Sequence, residues 1–204
     1  MADANIIPDV IADFPPSLGL HVTWPGTGWP RLDRALLGNT LDPRRLHGQP
    51  AIGLHDISAA SPSSSSAVSY VITLTDADAS PHASHPHFHE DGGKKKGEYC
   101  HWIASGTLRP SLCDPKEPGP CPPVLVDVEE VFKYKGPAPK KGTGKHRYVF
   151  LAFVPSNGTT EKLHLSKPKG RRGWGADHGV EGWAGENGLA AVERRMQKRR
   201  AKGT

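Results

Sequence analysis

Acidic, imidazole and phenolic side chains stand at the ends of three predicted strands of this sequence. The segments are SYVITLTDADAS with Asp76 and Asp78, EYCHWIAS with His101, and GTGKHRYVFLAF with His146 and Tyr148. If these segments meet, imidazolium, phenol and backbone N–H groups supply hydrogen-bond donors to an anion. A carboxylate bound to a histidine would orient that histidine and favour its charged form. The combination predicts an anion-binding pocket.

Uncompensated carboxylates would repel an anionic ligand such as phosphate. We therefore expect Asp76 and Asp78 each to be protonated, to pair with a histidine or with Arg147, or to turn away from the pocket. Arg147 is out of phase with His146 and Tyr148. Its planar guanidinium suits a structural ion pair, so we interpret Arg147 as a structural partner and not as a ligand contact.

The strand that delivers His146 and Tyr148 begins after a loop rich in proline and glycine. In residues 146–153, a period of two leaves both faces apolar beyond the first residues, which predicts a strand buried on both sides at its far end. Gly142 and Gly144 permit backbone conformations that other residues resist, so the loop can pack tightly and turn N–H groups toward the pocket.

The remaining elements are read from the same periodicities. Residues 18–24 and 70–76 alternate as strands, 51–54 form a short apolar run, and 125–134 are typical of a strand. The alternation in 70–78 places Asp76 and Asp78 on one side. Over 181–201 we expect a helix capped by Asn187, because apolar residues recur at helical spacing from Leu189 onward.

Composition narrows the class of protein. Twenty-three glycines and 20 prolines in 204 residues exclude a helical bundle and favour short strands joined by turns, in a single domain over residues 1–204. The formal charge of +5 is concentrated in a predicted flexible tail at about 193–204, whose six basic residues leave the rest at −1. We therefore expect no nucleic-acid partner.

No apolar run is long enough to span a membrane, and we find no signal peptide. Both observations favour a cytoplasmic location with three reduced cysteines.

A histidine-rich stretch lies between the first and second chemical segments. Its residues are His82, His85, His87 and His89, followed by Glu90 and Asp91. These side chains could bind zinc, but the stretch has no cysteine and matches no closed structural site. We interpret it as a solvated, pH-responsive loop and predict neither a metal nor a cofactor.

Taken in order, TDADAS, EYCHWI and YKGPAPKKGTGKHRYVFLAF resemble the signature of the phosphatidylethanolamine-binding protein family, which includes Raf kinase inhibitor proteins and a yeast carboxypeptidase Y inhibitor. The motifs TWPGTGW, LGNTL and HGVEGWAGENGL resemble its filamentous-fungal branch. The resemblance implies a mainly β fold, an antiparallel β-sandwich with a few flanking helices, and a small anion pocket at one end.

The resemblance also implies the residues around the ligand. They are Asp76, Asp78, Tyr99, His101, Ala138, His146 and Tyr148. Ala138 stands where many members have glycine, and Ala77 and Ser80 replace prolines of the first motif. These departures imply a reshaped pocket rim.

Two functions remain open at this point. The first is a regulatory protein that binds an anion or a phospholipid headgroup, as a serine carboxypeptidase inhibitor or a signalling modulator. The alternative is a lyase or cyclase of fungal secondary metabolism, in which Asp76, His101 and His146 carry out acid–base chemistry on a small molecule.

Overall fold

The computed structural model describes residues 6, 10–13, 18–25, 32–56, 68–79, 98–111, 122–172, 174 and 179–191. Its elements, in chain order, are β1 Leu18–Pro25, β2 Leu32–Ala35, a 3₁₀ turn Pro43–Arg45, β3 Ala51–Asp56, β4 Tyr70–Asp76, β5 Tyr99–Arg109, β6 Val124–Phe132, β7 Tyr148–Pro155, α1 Gly179–Glu186 and β8 Leu189–Ala191. The expected mainly β fold is confirmed.

The eight strands form one antiparallel sheet, in the order β2-β1-β3-β6-β5-β4-β7-β8. The two-sheet sandwich is not confirmed, because hydrogen bonding continues through the junction of β3 and β6. That junction is narrow and pairs only Gly53 with Val124. The sheet curls there: the rings of Trp24 on β1 and Phe150 on β7 are 5.8 Å apart. In a flat sheet, the five strand spacings between β1 and β7 would separate them by about 24 Å.

Each face of the sheet packs against its own group of apolar side chains. Inside the curl, Trp24 and Ile52 from β1 and β3 meet Leu74 and Trp102 from β4 and β5. On the outer face, apolar side chains of β4, β5 and β7 pack against α1, whose Trp183 is 1% exposed. The two packed faces fix the positions of β4, β5 and β7, and these strands carry the candidate site.

Strand β7 shows what its alternating pattern achieves. Val149, Leu151 and Phe153 are buried on the outer face, whereas Tyr148 and Phe150 pack inside the curl and are only partly buried. We expected β7 to be buried on both faces, but only its outer face is fully buried.

The predicted helix over 181–201 is wrong for residues 187–191, and residues 192–201 lie outside the described part of the chain. Helix α1 begins at Gly179 and ends at Glu186, and the chain then enters β8. Asn187 follows the helix instead of starting it, and its side-chain amide donates to the Trp183 carbonyl at 2.7 Å. Gly188 has a φ of 62°, a conformation that commonly ends helices. Helical spacing of Leu189 with later apolar residues misled the prediction, because pairing with β7 decided the local structure.

Several predictions fall outside the described residues. They concern the histidine-rich stretch at 82–91, Cys113, Cys121 and the basic tail at about 193–204. Cys100 is described, and it is a buried free thiol. Within the described ranges, no helix has the length and apolar composition needed to cross a membrane.

Candidate functional site

Three strands bring the chemical segments together at one edge of the sheet. Asp76, the last residue of β4, pairs across the sheet with Tyr99 of β5 on one side and with Tyr148 of β7 on the other. The three distant segments therefore converge, as the sequence predicts. A register shift between Leu74 and Thr75 adjusts β4 against β5 shortly before this row.

A cavity of about 160 Å³ opens at this edge. Its lining comprises Asp76, Ala79, Tyr99, His101, Lys135, Ala138, Lys140, Thr143, His146 and Arg172. Five of the seven predicted ligand-binding residues are in this set. The other two, Asp78 and Tyr148, lie behind the lining.

The Asp76 carboxylate is paired with His146. Nδ1 of His146 lies 2.8 Å from Oδ2 of Asp76, and both side chains are only 6% exposed. The second ring nitrogen, Nε2, lies 2.8 Å from the Thr143 hydroxyl, which also donates to the Lys140 carbonyl. The loop that supplies Thr143 depends on Gly142 and Gly144, whose φ values of 85° and 80° are those that glycine adopts at little cost. The expected pairing of an acid with a histidine is therefore present.

The Asp78 carboxylate is also paired, but its partner is Arg147 and not a histidine. Its carboxylate accepts from the Arg147 backbone N–H at 2.8 Å and from the Arg147 guanidinium at 3.0 Å through both Nε and Nη2. Strand phase placed Asp78 beside Asp76, but β4 ends at Asp76 and residues 77–78 form a turn. Alternation therefore no longer applies at Asp78, which binds Arg147 and does not line the cavity.

His101 is held in a defined tautomer. Its Nδ1 lies 2.7 Å from the Lys135 carbonyl, which can only accept, so Nδ1 carries a proton and Nε2 is left for a ligand. The rings of Tyr99 and Tyr148 lie 4.9 and 5.2 Å from the imidazole. Burial lowers the pKa of His101, outweighing the Lys135 carbonyl and the Asp76 charge that raise it. Without a ligand, His101 is therefore neutral at neutral pH, and not the imidazolium that the anion argument assumes.

The Tyr148 hydroxyl is a buried polar group behind the cavity. Among the described residues it has no hydrogen bond of good geometry, although Asp76 and the Ala138 backbone lie close enough to shift its pKa. Burial raises that pKa strongly, and the Asp76 charge raises it further. Tyr148 therefore stays protonated as a donor.

Three cationic side chains around the cavity were not predicted. Lys135 donates to the Tyr99 hydroxyl at 2.8 Å, Lys140 lines the loop side, and the Arg172 guanidinium lies 5.4 Å from the centre of the Tyr99 ring. Lys135 and Lys140 belong to the same proline-rich segment as the histidine motif, so that segment could have suggested them. An isolated antiparallel β-bridge between the backbones of Tyr99 and Arg172 brings Arg172 to the site. No sequence pattern predicts this backbone pairing.

Glu98, next to the site, is a partly buried carboxylate with no cationic partner among the residues that the structure describes. It accepts hydrogen bonds from the Thr75 hydroxyl at 3.0 Å and from the Val180 N–H at the start of α1 at 3.1 Å. Burial raises its pKa to about 6, against these hydrogen bonds. Glu98 therefore links β4 to α1 and was not singled out from the sequence. Among the residues that the structure describes, no group of three acidic, histidine or cysteine side chains is arranged to hold a metal ion.

Comparisons with known proteins agree with this geometry. A family model described as phosphatidylethanolamine-binding protein matches residues 35–196. The chain is similar to the carboxypeptidase Y inhibitor of Saccharomyces cerevisiae, with 29% identity over 214 residues that cover 92% of this chain and 87% of the inhibitor.

Solved structures show the same likeness. The crystal structure of carboxypeptidase Y inhibitor complexed with the cognate proteinase matches with a TM-score of 0.67 and 26% identity, covering 94% of this chain and 88% of the inhibitor. A phosphatidylethanolamine-binding protein from Plasmodium vivax matches with a TM-score of 0.57 and 18% identity, covering 94% and 91% of the two chains. The second match supports the fold alone.

Proposed function

We propose, because this chain belongs to the phosphatidylethanolamine-binding protein family, that it is a binding protein whose pocket holds a phosphate-like anion, free or as a phospholipid headgroup. The charge balance of the cavity carries the proposal. Among the described residues, the lining has three cationic side chains, Lys135, Lys140 and Arg172, and one carboxylate, Asp76, which is paired with His146. Such a cavity attracts a small anion.

The size of the cavity supports a small ligand group. Its volume of about 160 Å³ is well below the range of about 300–1,000 Å³ that is typical of pockets for drug-sized molecules. A phosphate or headgroup suits that volume better than a whole secondary metabolite, so the size favours binding over the enzymatic alternative.

Titration calorimetry with two probes tests the proposal. Inorganic phosphate represents a free anion, and glycerophosphoethanolamine represents a phospholipid headgroup. We expect Lys140→Met to weaken binding about tenfold, since a hydrogen bond to a charged group contributes about 1.5 kcal/mol or more. Lys162→Met is the matched control, because Lys162 pairs with Glu129 on the surface and does not line the cavity. Absence of binding for both probes would reject the proposal.

The pH dependence of binding tests whether His101 becomes protonated when the anion binds. Burial lowers the pKa of free His101, and a bound anion favours its charged form, so binding takes up a proton. Affinity for glycerophosphoethanolamine, whose own charge is constant in this range, should rise as the pH falls from 7.5 to 5.5. In His101→Gln the rise should disappear. A pH-independent affinity in the wild type would contradict this role.

A second candidate function follows from the carboxypeptidase Y inhibitor, which resembles this chain over nearly its whole length. We propose a serine carboxypeptidase as the protein partner. At micromolar concentration, the purified protein should slow peptide hydrolysis by carboxypeptidase Y. Comparing His146→Ala with the wild type then shows whether the pocket contributes. Full protease activity at saturating concentrations of the protein would rule out this partner, and would leave the anion-binding proposal intact.

A further inference from the structure

A pair of histidines lies on β1 and β3, strands that supply none of the cavity-lining residues. Strand register places His21 opposite Gly53 and His55 opposite Gly19. Residues two apart share a face of a strand, so both imidazoles lie on the same face, each facing a glycine. A Cβ at Gly19 would overlap the His55 ring, and a Cβ at Gly53 would lie 3.4 Å from Cβ of His21 and 3.0 Å from the Pro122 ring. The two glycines therefore leave space in which the rings can meet.

The two imidazoles meet through ring nitrogens. Nε2 of His21 lies 2.9 Å from Nδ1 of His55, and the ring centres are 4.7 Å apart with a tilt of 57°. Imidazole nitrogens bind Zn²⁺ at about 2.0–2.1 Å, so two nitrogens on one ion lie about 2.9–3.4 Å apart for angles from square to tetrahedral. A metal ion held by both nitrogens would lie to the side of the line that joins them, so each ring must also turn by roughly 40° to point its lone pair at the ion.

The protonation state favours a metal ligand. Burial lowers the pKa of His21, and the nearby His55 and the Arg34 guanidinium on β2 lower it further. Neutral imidazole is the form that binds metals. The positive charge of Arg34 also opposes a bound cation, so we expect affinity lower than that of a closed structural site.

We propose that His21 and His55 form an open site for a divalent transition-metal ion of the zinc and copper class. Imidazole ligands select this class over magnesium or calcium. Within the described residues no third histidine, cysteine or carboxylate completes a ligand set, so the two imidazoles supply only part of the four-coordinate shell that zinc prefers. Both rings are only partly buried, which leaves the ion accessible to solvent. The site shares no residue with the anion pocket and does not depend on the proposed function.

Zinc titration of the full chain by calorimetry tests this site. The variants are His21→Gln and His55→Gln, and His47→Gln replaces an exposed histidine as the matched control. We expect the wild type and His47→Gln to bind one zinc equivalent more than either of the other variants. Zinc should also raise the melting temperature of the wild type more than that of His21→Gln. The histidines at 82–89 are present in all four proteins, so zinc bound there cancels in the comparison.

Two results would overturn the site. One is an unchanged zinc stoichiometry in His21→Gln and His55→Gln. The other is a wild-type NMR titration in which the two imidazoles do not shift together on zinc addition. The NMR measurement needs no variant, so it decides the question even if a substitution impairs folding. Joint shifts of His21 and His55 as one equivalent of zinc binds would support the site.

Discussion

Two ion pairs lie side by side at the edge of the sheet and have different positions relative to the cavity. Asp76 binds His146 in the cavity lining, whereas Asp78 binds Arg147 behind it. Their carboxylates are almost equally buried, with side chains 6% and 5% exposed. Burial therefore does not separate a cavity-lining carboxylate from one that lies behind the lining. The difference comes from the partners: His146 lines the cavity, whereas Arg147 binds Asp78 and is not in the lining.

The largest expected effect is on the pair behind the cavity. Asp78→Asn leaves Arg147 without its counter-charge, and breaking a buried ion pair lowers the free energy of unfolding by about 3 kcal/mol. Urea denaturation measures this change. Glu129→Gln is the matched control in the exposed pair with Lys162, and should change the free energy by less than about 0.5 kcal/mol. Equal stability of both variants would show that the Asp78 pair is not structural.

The pair that lines the cavity should affect binding more than stability. His146→Ala leaves the Asp76 charge facing the ligand, so we expect phosphate affinity to fall about thirtyfold, or about 2 kcal/mol. Adding Asp76→Asn to this variant removes the repelling charge and should restore part of the affinity. Titration calorimetry on both proteins measures the two effects. If the double variant binds no better than His146→Ala, neutralisation of Asp76 is not the function of His146.

Glu98 extends the comparison, since it is a partly buried carboxylate with no cationic partner among the described residues. Its pKa of about 6 lies above the ordinary value of 4.5, so the folded state holds this proton more tightly than the unfolded state. The resulting stability is complete below pH 4.5 and is lost as the pH rises through 6, by about 2 kcal/mol in all. Glu98→Gln should remove this loss. Urea denaturation at pH 4.5, 6 and 7.5 measures it, and an identical pH dependence in wild type and variant would contradict it.

The smallest effect concerns the orientation of His146. Thr143→Ala removes the hydroxyl that contacts Nε2 of His146, and one neutral hydrogen bond contributes about 0.5–1.5 kcal/mol. We expect phosphate affinity to fall about threefold. Thr143→Ser keeps the hydroxyl and should bind as the wild type does. A loss as large as that of His146→Ala would instead indicate that Thr143 binds the ligand directly.

Much of the site could be predicted because its residues lie in short, regular segments. The positions of Asp76 and of Tyr148 follow from strand patterns in 70–76 and 146–153, and the family resemblance added Tyr99 and Ala138. The neutralisation of the acids was predicted from electrostatics alone, since two bare carboxylates are incompatible with an anion. The partner of each acid was left open.

The sequence could not predict features that depend on packing between distant segments. Arg172 reaches the cavity through a β-bridge to Tyr99, and burial within the folded chain lowers the pKa of His101. The helix expected over 187–191 was wrong for a similar reason: pairing of β8 with β7 outweighed a local helical spacing. The basic tail, the histidine-rich stretch and the cytoplasmic location remain predictions.

By itself, the sequence determined the chemistry available to this protein: which acids, imidazoles and phenols stand at strand ends, and that strands dominate its fold. Alternation within a strand is local, so it can be read without coordinates. Only the tertiary structure decided which acid faces the cavity, which faces Arg147, and how the sheet curls into one continuous surface. Those outcomes depend on strand register and on turns at strand ends, where a single residue changes the side to which every following side chain points.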